Sequence, residues 1–342
     1  MSDEPSTSRS GSGGAHVVVL GGGVMGLTTA VLLAEQGRPV RLWSPDRPGE
    51  TTSAVAGGLC WPYRIEPQER ALEWAVRAFG QFSWLAEQPE LTGVRLVRGS
   101  MPGATPPPEW TRLTGSPPRA PLVDMRTYLP YLLGRFEAAG GRWERRAAGS
   151  LAEAAAVADT VVNCTGLGAR ELVPDPSMRP VRGQVVVVEN PGVEEWYVDA
   201  SDDADETTYV LPQPHGVILG GTAQDGSEET APDPATAQAV VRRCARIHPG
   251  LATARILEHR VGLRPFRPGV RLAAERIGDG AGGDALCVHN YGHGGAGITV
   301  SWGCALDAVR LIDSGAGAGA GEEAGQSAGR DAAEGAAVDA AG

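Results

Sequence analysis

The sequence contains no lysine: its basic side chains, 30 in all, are arginines. Acidic side chains number 41, so the formal net charge is −11. That balance excludes nucleic acid as a partner, because phosphate binding needs basic patches. Cysteine is also scarce. The five residues Cys60, Cys164, Cys244, Cys287 and Cys304 form no C-x-x-C pair and are odd in number. This argues against a disulfide framework and a structural zinc site, and it fits a reducing, cytoplasmic setting. No apolar run approaches the ~20 residues of a membrane span. The first 14 residues are polar and rich in Ser and Gly, so no secretory signal is expected, and the last three do not form a peroxisomal address.

Bulky apolar residues are missing from both ends. Residues 1–14 and 314–342 are low-complexity and bury too little surface to offset the entropy of ordering, so both read as disordered tails. Between them the chain alternates. HVVVL (16–20) is a buried parallel strand, 24–37 has helical spacing with a glycine stop, and PVRLW (39–43) is a second strand. Residues 125–141 read as a helix interrupted by a proline. TVVNCTG (160–166), QVVVVE (184–189), GVILGGT (216–222) and ALCVHN (285–290) read as strands, and 298–313 as a last helix. The β-α-β opening predicts an α/β fold with a parallel sheet, and the long Pro- and Trp-containing middle suggests an inserted second domain.

The first strand runs into GGGVMG, with Gly21, Gly23 and Gly26 in the G-x-G-x-x-G positions. The context matters more than the pattern, since the motif follows a strand and opens a helix. Gly21 permits the tight turn, Gly23 lets backbone approach a pyrophosphate, and Gly26 allows close helix–strand packing. Unpaired N–H groups at the helix start, around Val24 and Met25, then face the phosphates. The bland alternative is a glycine-rich turn without ligand. An acid is expected at the end of the second strand for a ribose; here the candidates are Asp46, a few residues late, and Ser44.

A second glycine-rich block, HNYGHGGAGITVSWG (289–303), is open to metal, phosphate or flavin. Metal fails on chemistry, since no thiolate or acid is spaced to complete a shell around His289 and His293. The segment TTSAVAGGLCWPYR (51–64) decides the reading, because it resembles the D-amino-acid oxidase family of flavoproteins. Three more blocks agree in order: NCTG (163–166) with RGQ (182–184), VGLRPFRPGVRL (261–272), and HNYGHGGAGITVSWGCA (289–305). The likeness runs over about residues 15–313.

The resemblance implies a Rossmann-like FAD-binding domain with an inserted mixed α+β substrate domain. The FAD-binding parts are then 15–60, 122–182 and 283–313, and the substrate parts 61–121 and 183–282. Thr51, Thr52, Ser53, Gly58, Leu59, Gly294, Gly297, Ile298 and Thr299 match flavin-contacting positions. The helix starting near Thr299 would aim its positive end at the flavin. His289, Asn290, Tyr291 and His293 would shape the loop, since hydride transfer needs no strong base and no catalytic acid or base is expected.

Arg264 matches the carboxylate-binding arginine, whose planar fork suits two oxygens. Arg267 and Arg271 are its comparators, read as ion-pair residues. Tyr209 matches the tyrosine that also bonds the carboxylate, Tyr63 one that borders the side-chain pocket, and Gly295 the carbonyl that accepts from the substrate amine. Cys164 and Cys304 read as buried structural thiols.

Asp205 stands where many eukaryotic members carry a lid tyrosine, so the lid is expected to be shorter or differently built. The implied reaction is oxidative deamination of a D-amino acid, with dioxygen as acceptor. No cation lies between Trp196 and Pro214, so neutral or basic side chains are expected over acidic ones. Acids at 202, 203, 205 and 206 would attract a cationic substrate, or form only a solvated loop. The rivals are a related flavin amine oxidase for D-aspartate, glycine or sarcosine, a D-amino-acid or nicotinamide dehydrogenase, and a non-catalytic flavin-binding protein. A homodimer stays open.

Overall fold

The computed structural model describes residues 16–62, 65–199, 207–278 and 283–315. Its centre is a 13-stranded sheet. One end is parallel. There Arg142–Arg145, Val40–Ser44, Val17–Leu20, Thr160–Asn163 and Asp284–His293 lie side by side in that order. The first strand sits in the middle and is buried on both faces, which is why it reads as an unbroken apolar run. Helix Val24–Glu35 follows it directly.

Beyond Asp284–His293 the sheet turns antiparallel. Ile256–Gly278, 23 residues long, pairs with Arg179–Val188 through its first half and with Asp284–His293 through its second. A register shift between Phe266 and Arg271 marks the changeover. Gly216–Gly220, Tyr209–Gln213 and Trp196–Val198 extend the sheet from Arg179–Val188. The long strand therefore carries Arg264 to the junction between the parallel and antiparallel halves.

Two helices back the parallel end. Helix Gly297–Asp313 packs on Val24–Glu35 and on Gln68–Leu85. The second crossing is close because position 303 has no side chain: a Cβ there would stand 2.3 Å from the Trp74 carbonyl oxygen. Asp307 then ties the pair, accepting from Trp74 Nε1 at 2.7 Å and Arg77 Nη1 at 2.6 Å.

One sequence expectation changes, and one strand was not foreseen. Helix Met125–Ala138 runs through Pro130 without interruption. Proline removes one hydrogen bond and crowds the preceding turn. Tyr128, Leu129, Leu132 and Phe136 are all fully buried, and that burial keeps the helix whole. The long strand Ile256–Gly278 was legible only as a motif block, since Pro265, Pro268 and its arginines hide any strand pattern. Among the described residues no helix is long and apolar enough to cross a membrane.

Candidate active site

A cleft of about 1070 Å³ runs along the junction. Sites for drug-sized ligands occupy ~300–1,000 Å³, so this one suits something as large as a dinucleotide. Gly21, Gly23, Val24, Met25, Ser44, Asp46, Thr51, Thr52, Ser53, Gly58 and Leu59 line it, as do Tyr209, Arg264, Gly294, Gly295, Gly297, Ile298 and Thr299. The sheet thus brings together nearly every residue that sequence singled out. Tyr63 lies outside the described residues, as do Asp202, Asp203, Asp205 and Glu206.

Gly21 has φ +103°, and a Cβ there would meet the Cys164 carbonyl oxygen at 2.4 Å. Gly26 is not on the cleft; its Cβ would stand 1.8 Å from the Gly21 carbonyl oxygen, the close packing expected of that position. Ser53 Oγ accepts from the Val24 amide at 3.0 Å, so the Thr/Ser turn is docked on the helix start. A Cβ at Gly23 would meet the same Ser53 oxygen at 3.1 Å. A side chain at position 23 would crowd the cradle between helix and turn, and glycine leaves it the room a pyrophosphate site needs. Thr51 donates to the Pro48 carbonyl, while Thr52 is exposed. Ser44 donates to the Asp46 carbonyl at 2.8 Å, leaving the exposed Asp46 carboxylate at the cleft edge.

On the cleft wall the Arg264 guanidinium lies flat over Gly183, where a Cβ would approach Nη1 and Nη2 at 2.5 Å. Nη1 donates to the Thr222 carbonyl at 2.9 Å. The Arg264 charge lies near enough to act on the Tyr209 hydroxyl. Burial pushes the Tyr209 hydroxyl above its ordinary pKa, with Arg264 working against that, so the group keeps its proton to donate. Among the described residues Arg264 has no carboxylate partner. Its comparators differ: Arg267 pairs with Asp175 at 3.0 Å, and Arg271 with Glu275 at 3.5 Å and the Tyr291 hydroxyl at 2.8 Å. Gly295 packs against the Arg264 stem, with 3.4 Å from its would-be Cβ to Cδ.

His289, Asn290, Tyr291 and His293 do not lie in a loop: sheet pairing carries strand Asp284–His293 through all four, and the turn starts only at Gly294. His289 and Tyr291 are held by partners, His289 by Glu275 and Asn163, Tyr291 by Asp175 and Arg271. Asn290 Oδ1 and His293 Nε2 are buried without a hydrogen-bond partner among the described residues, and both residues line the cleft. Burial pulls His293 down to about 3. The hydroxyl of Thr299 is engaged too, accepting from the Trp61 amide at 3.0 Å and donating to its carbonyl at 3.2 Å. Thr299 therefore borders the cleft while its side chain fastens the 51–62 segment. Cys164 and Cys304 are buried, and burial pushes both thiols well up.

Sequence reasoning did not single out Trp61, Thr222 or Gly183 for the cleft wall, or Asn290 Oδ1 and His293 Nε2 as unpaired groups. Among the described residues no cluster of three or more His, Cys, Asp or Glu could hold a metal.

A family model described as FAD dependent oxidoreductase matches residues 16–116 and 116–311. The D-amino-acid oxidase of Streptomyces coelicolor is 54% identical, covering 86% of this chain and 96% of its own length. The D-amino-acid oxidase of Rubrobacter xylanophilus is 46% identical, covering 87% and 95%. Among solved structures, glycine oxidase from Bacillus cereus has a TM-score of 0.67 at 17% identity, covering 88% of this chain and 95% of its own, a likeness of fold alone. The chain belongs to the D-amino-acid oxidase family of FAD-dependent oxidoreductases.

Proposed function

We propose that the protein oxidatively deaminates D-amino acids with FAD: amino acid, water and dioxygen give 2-oxo acid, ammonia and hydrogen peroxide. The observation that carries this is Arg264, a guanidinium without carboxylate partner among the described residues, facing the cleft that also holds the dinucleotide cradle. A non-catalytic flavin binder has no use for such a clamp. When bound, FAD supplies the two-electron chemistry, acceptance of hydride and its passage to dioxygen.

The Gly21–Met25 turn and Thr51–Ser53 would hold the pyrophosphate, with Asp46 or Ser44 at the ribose. Gly58, Leu59, Gly294, Gly297, Ile298 and Thr299 would border the flavin ring. Arg264 and Tyr209 hold the substrate carboxylate, by a charged fork and a protonated hydroxyl. The Gly295 carbonyl accepts from the substrate amine. With both groups fixed, one Cα substituent points at the ring, and only one enantiomer presents its hydrogen there. No side chain has to act as base, and the buried His293, pulled far below its ordinary value, is neutral throughout the working range. On this reading the parallel half of the sheet serves the cofactor and the antiparallel half the substrate. A cytoplasmic setting is supported by five free, buried cysteines.

Neutral or basic side chains are favoured over acidic ones. The described cleft cations other than Arg264 support this: Arg179 is already paired with Asp225 at 2.6 Å, and Arg146 with Glu153. The test is the flavin absorbance of the purified protein under anaerobic D-valine, D-methionine, D-arginine, D-aspartate and the L-isomers. Bleaching with the D-isomers and recovery in air with peroxide is the expected result. A dominant D-aspartate rate would overturn the side-chain preference. Bands unchanged by any D-amino acid would overturn the activity and leave the cofactor standing.

A further inference from the structure

Asn163 and His289 are register partners on adjacent parallel strands, and both are fully buried. Asn163 Oδ1 accepts from the Thr165 amide at 3.2 Å and from the Thr165 hydroxyl at 2.8 Å. A backbone amide only donates, so the carboxamide is oriented: oxygen to Thr165, nitrogen to His289. Asn163 Nδ2 lies 3.2 Å from His289 Nδ1, which must therefore accept. The ring proton then sits on Nε2, 2.7 Å from Glu275 Oε1. Each bond fixes the direction of the next, from a half-exposed carboxylate through two buried side chains to a turn.

That turn borders the cofactor. Cys164, Thr165 and Gly166 line the cleft, and the Cys164 carbonyl is pressed on Gly21, the first glycine of the dinucleotide motif. We infer that Glu275, His289 and Asn163 form a positioning relay that locks the 163–166 turn against the Gly21 turn, and that FAD is held tightly only while His289 is neutral. This rests on the assignment of the cleft to FAD.

A proton added to His289 goes to Nδ1 and sets two donors face to face. Rotating the Asn163 amide relieves that contact but turns its NH₂ toward the Thr165 N–H. Either outcome frees the turn. The other groups around the ring are the Cys287 thiol, 3.8 Å from Nε2, and the Tyr291 ring, edge-on at 5.8 Å. Arg271 and Asp175 act on it through charge with opposite signs. Burial outweighs Glu275, so His289 is held below its ordinary value and stays neutral at physiological pH.

The test compares wild type with Asn163→Asp by measuring FAD dissociation from the holoenzyme by flavin fluorescence at about pH 8 and about pH 5.5. An imidazole that must be neutral loosens the cofactor by about ten-fold per pH unit below its own titration point, which burial holds under the ordinary ~6.5. The wild-type dissociation constant should therefore rise across this interval, by up to about ten-fold. In the variant, a carboxylate accepts both from Thr165 and from a protonated His289, so the rise should shrink to under about three-fold. His293, held at about 3, stays neutral across this interval in both proteins. Equal pH ratios in the two would overturn the relay. A wild type that takes up no FAD at pH 8 would overturn the cofactor assignment and the relay with it, a different outcome from equal ratios. If Asn163→Asp does not fold, ¹⁵N NMR of histidine-labelled wild-type holoenzyme decides: an unprotonated Nδ1 at His289 supports the relay, and a protonated one overturns it.

Discussion

Glycine at position 183 offers a way to move the carboxylate clamp without touching it. The Arg264 guanidinium rests on this residue, and an added Cβ would lie 2.5 Å from Nη1, 2.5 Å from Nη2 and 2.6 Å from Cζ. Ordinary contact between such atoms is ~3.5 Å, so Gly183→Ala must shift the guanidinium by about 1 Å. The atoms that must move are the end of a flexible side chain, so the fold should tolerate the change, with stability altered by under about 1 kcal/mol. Catalysis should not. A misplacement of ~1 Å in a positioning group costs on the order of 10²-fold, or about 2.7 kcal/mol of transition-state stabilisation. Steady-state peroxide production from D-valine would give kcat/KM, and thermal unfolding and flavin content would report on the fold and the cofactor. The expected pattern is a drop of about two decades in kcat/KM with flavin content and melting temperature nearly unchanged. An unchanged kcat/KM would refute the assignment of Arg264 as the clamp, because the added Cβ has to displace its guanidinium. A variant that lost flavin instead would mean that the strand, not the guanidinium, had moved.

Three further outcomes follow from the same geometry. Tyr209→Phe removes one hydrogen bond to a charged carboxylate, worth ~1.5–3 kcal/mol, and should raise KM about ten-fold or more with a smaller change in kcat; a change confined to kcat would contradict the binding role. Gly26→Ala drives a Cβ to 1.8 Å from backbone at Gly21, with no flexible group to yield. It should lower stability by about 3 kcal/mol and yield protein without visible flavin, read by absorbance and melting temperature. His293, held at about 3 in the fold, binds its proton more readily when unfolded. Its sign is therefore acid-destabilising: stability is intact above ~6.5 and falls by up to about 1.4 kcal/mol per pH unit below that, toward about 3. His293→Leu should flatten that slope in urea unfolding of FAD-saturated protein between pH 7 and pH 5, and an identical slope would remove His293 as its source.

What was legible in the sequence is what backbone geometry dictates. Gly21 and Gly26 announce themselves because each is pressed on a carbonyl that no side chain could face, a constraint written locally in the strand–turn–helix. Arg264 stood out from Arg267 and Arg271 only through resemblance; along the chain the three are alike. The structure separates them by partners, since Asp175 and Tyr291 claim the other two. Those partners come from strands and turns far away in sequence, so no local pattern could assign them. Thr299 is the sharper case. The resemblance assigns Thr299 to the flavin, yet its hydroxyl is spent on Trp61, 238 residues earlier. Along the chain Gly183 has no evident reason to be glycine, and strand pairing supplies one. Arg182 and Val181 face Leu263 and Arg264 in register, so Gly183 lies where the Arg264 side chain folds back across the sheet, and only hydrogen leaves room for it. The glycine of RGQ and the arginine of GLRP are thus two halves of one device, a flat guanidinium and the empty position beneath it. Changing either should be felt at the substrate before it is felt in the fold.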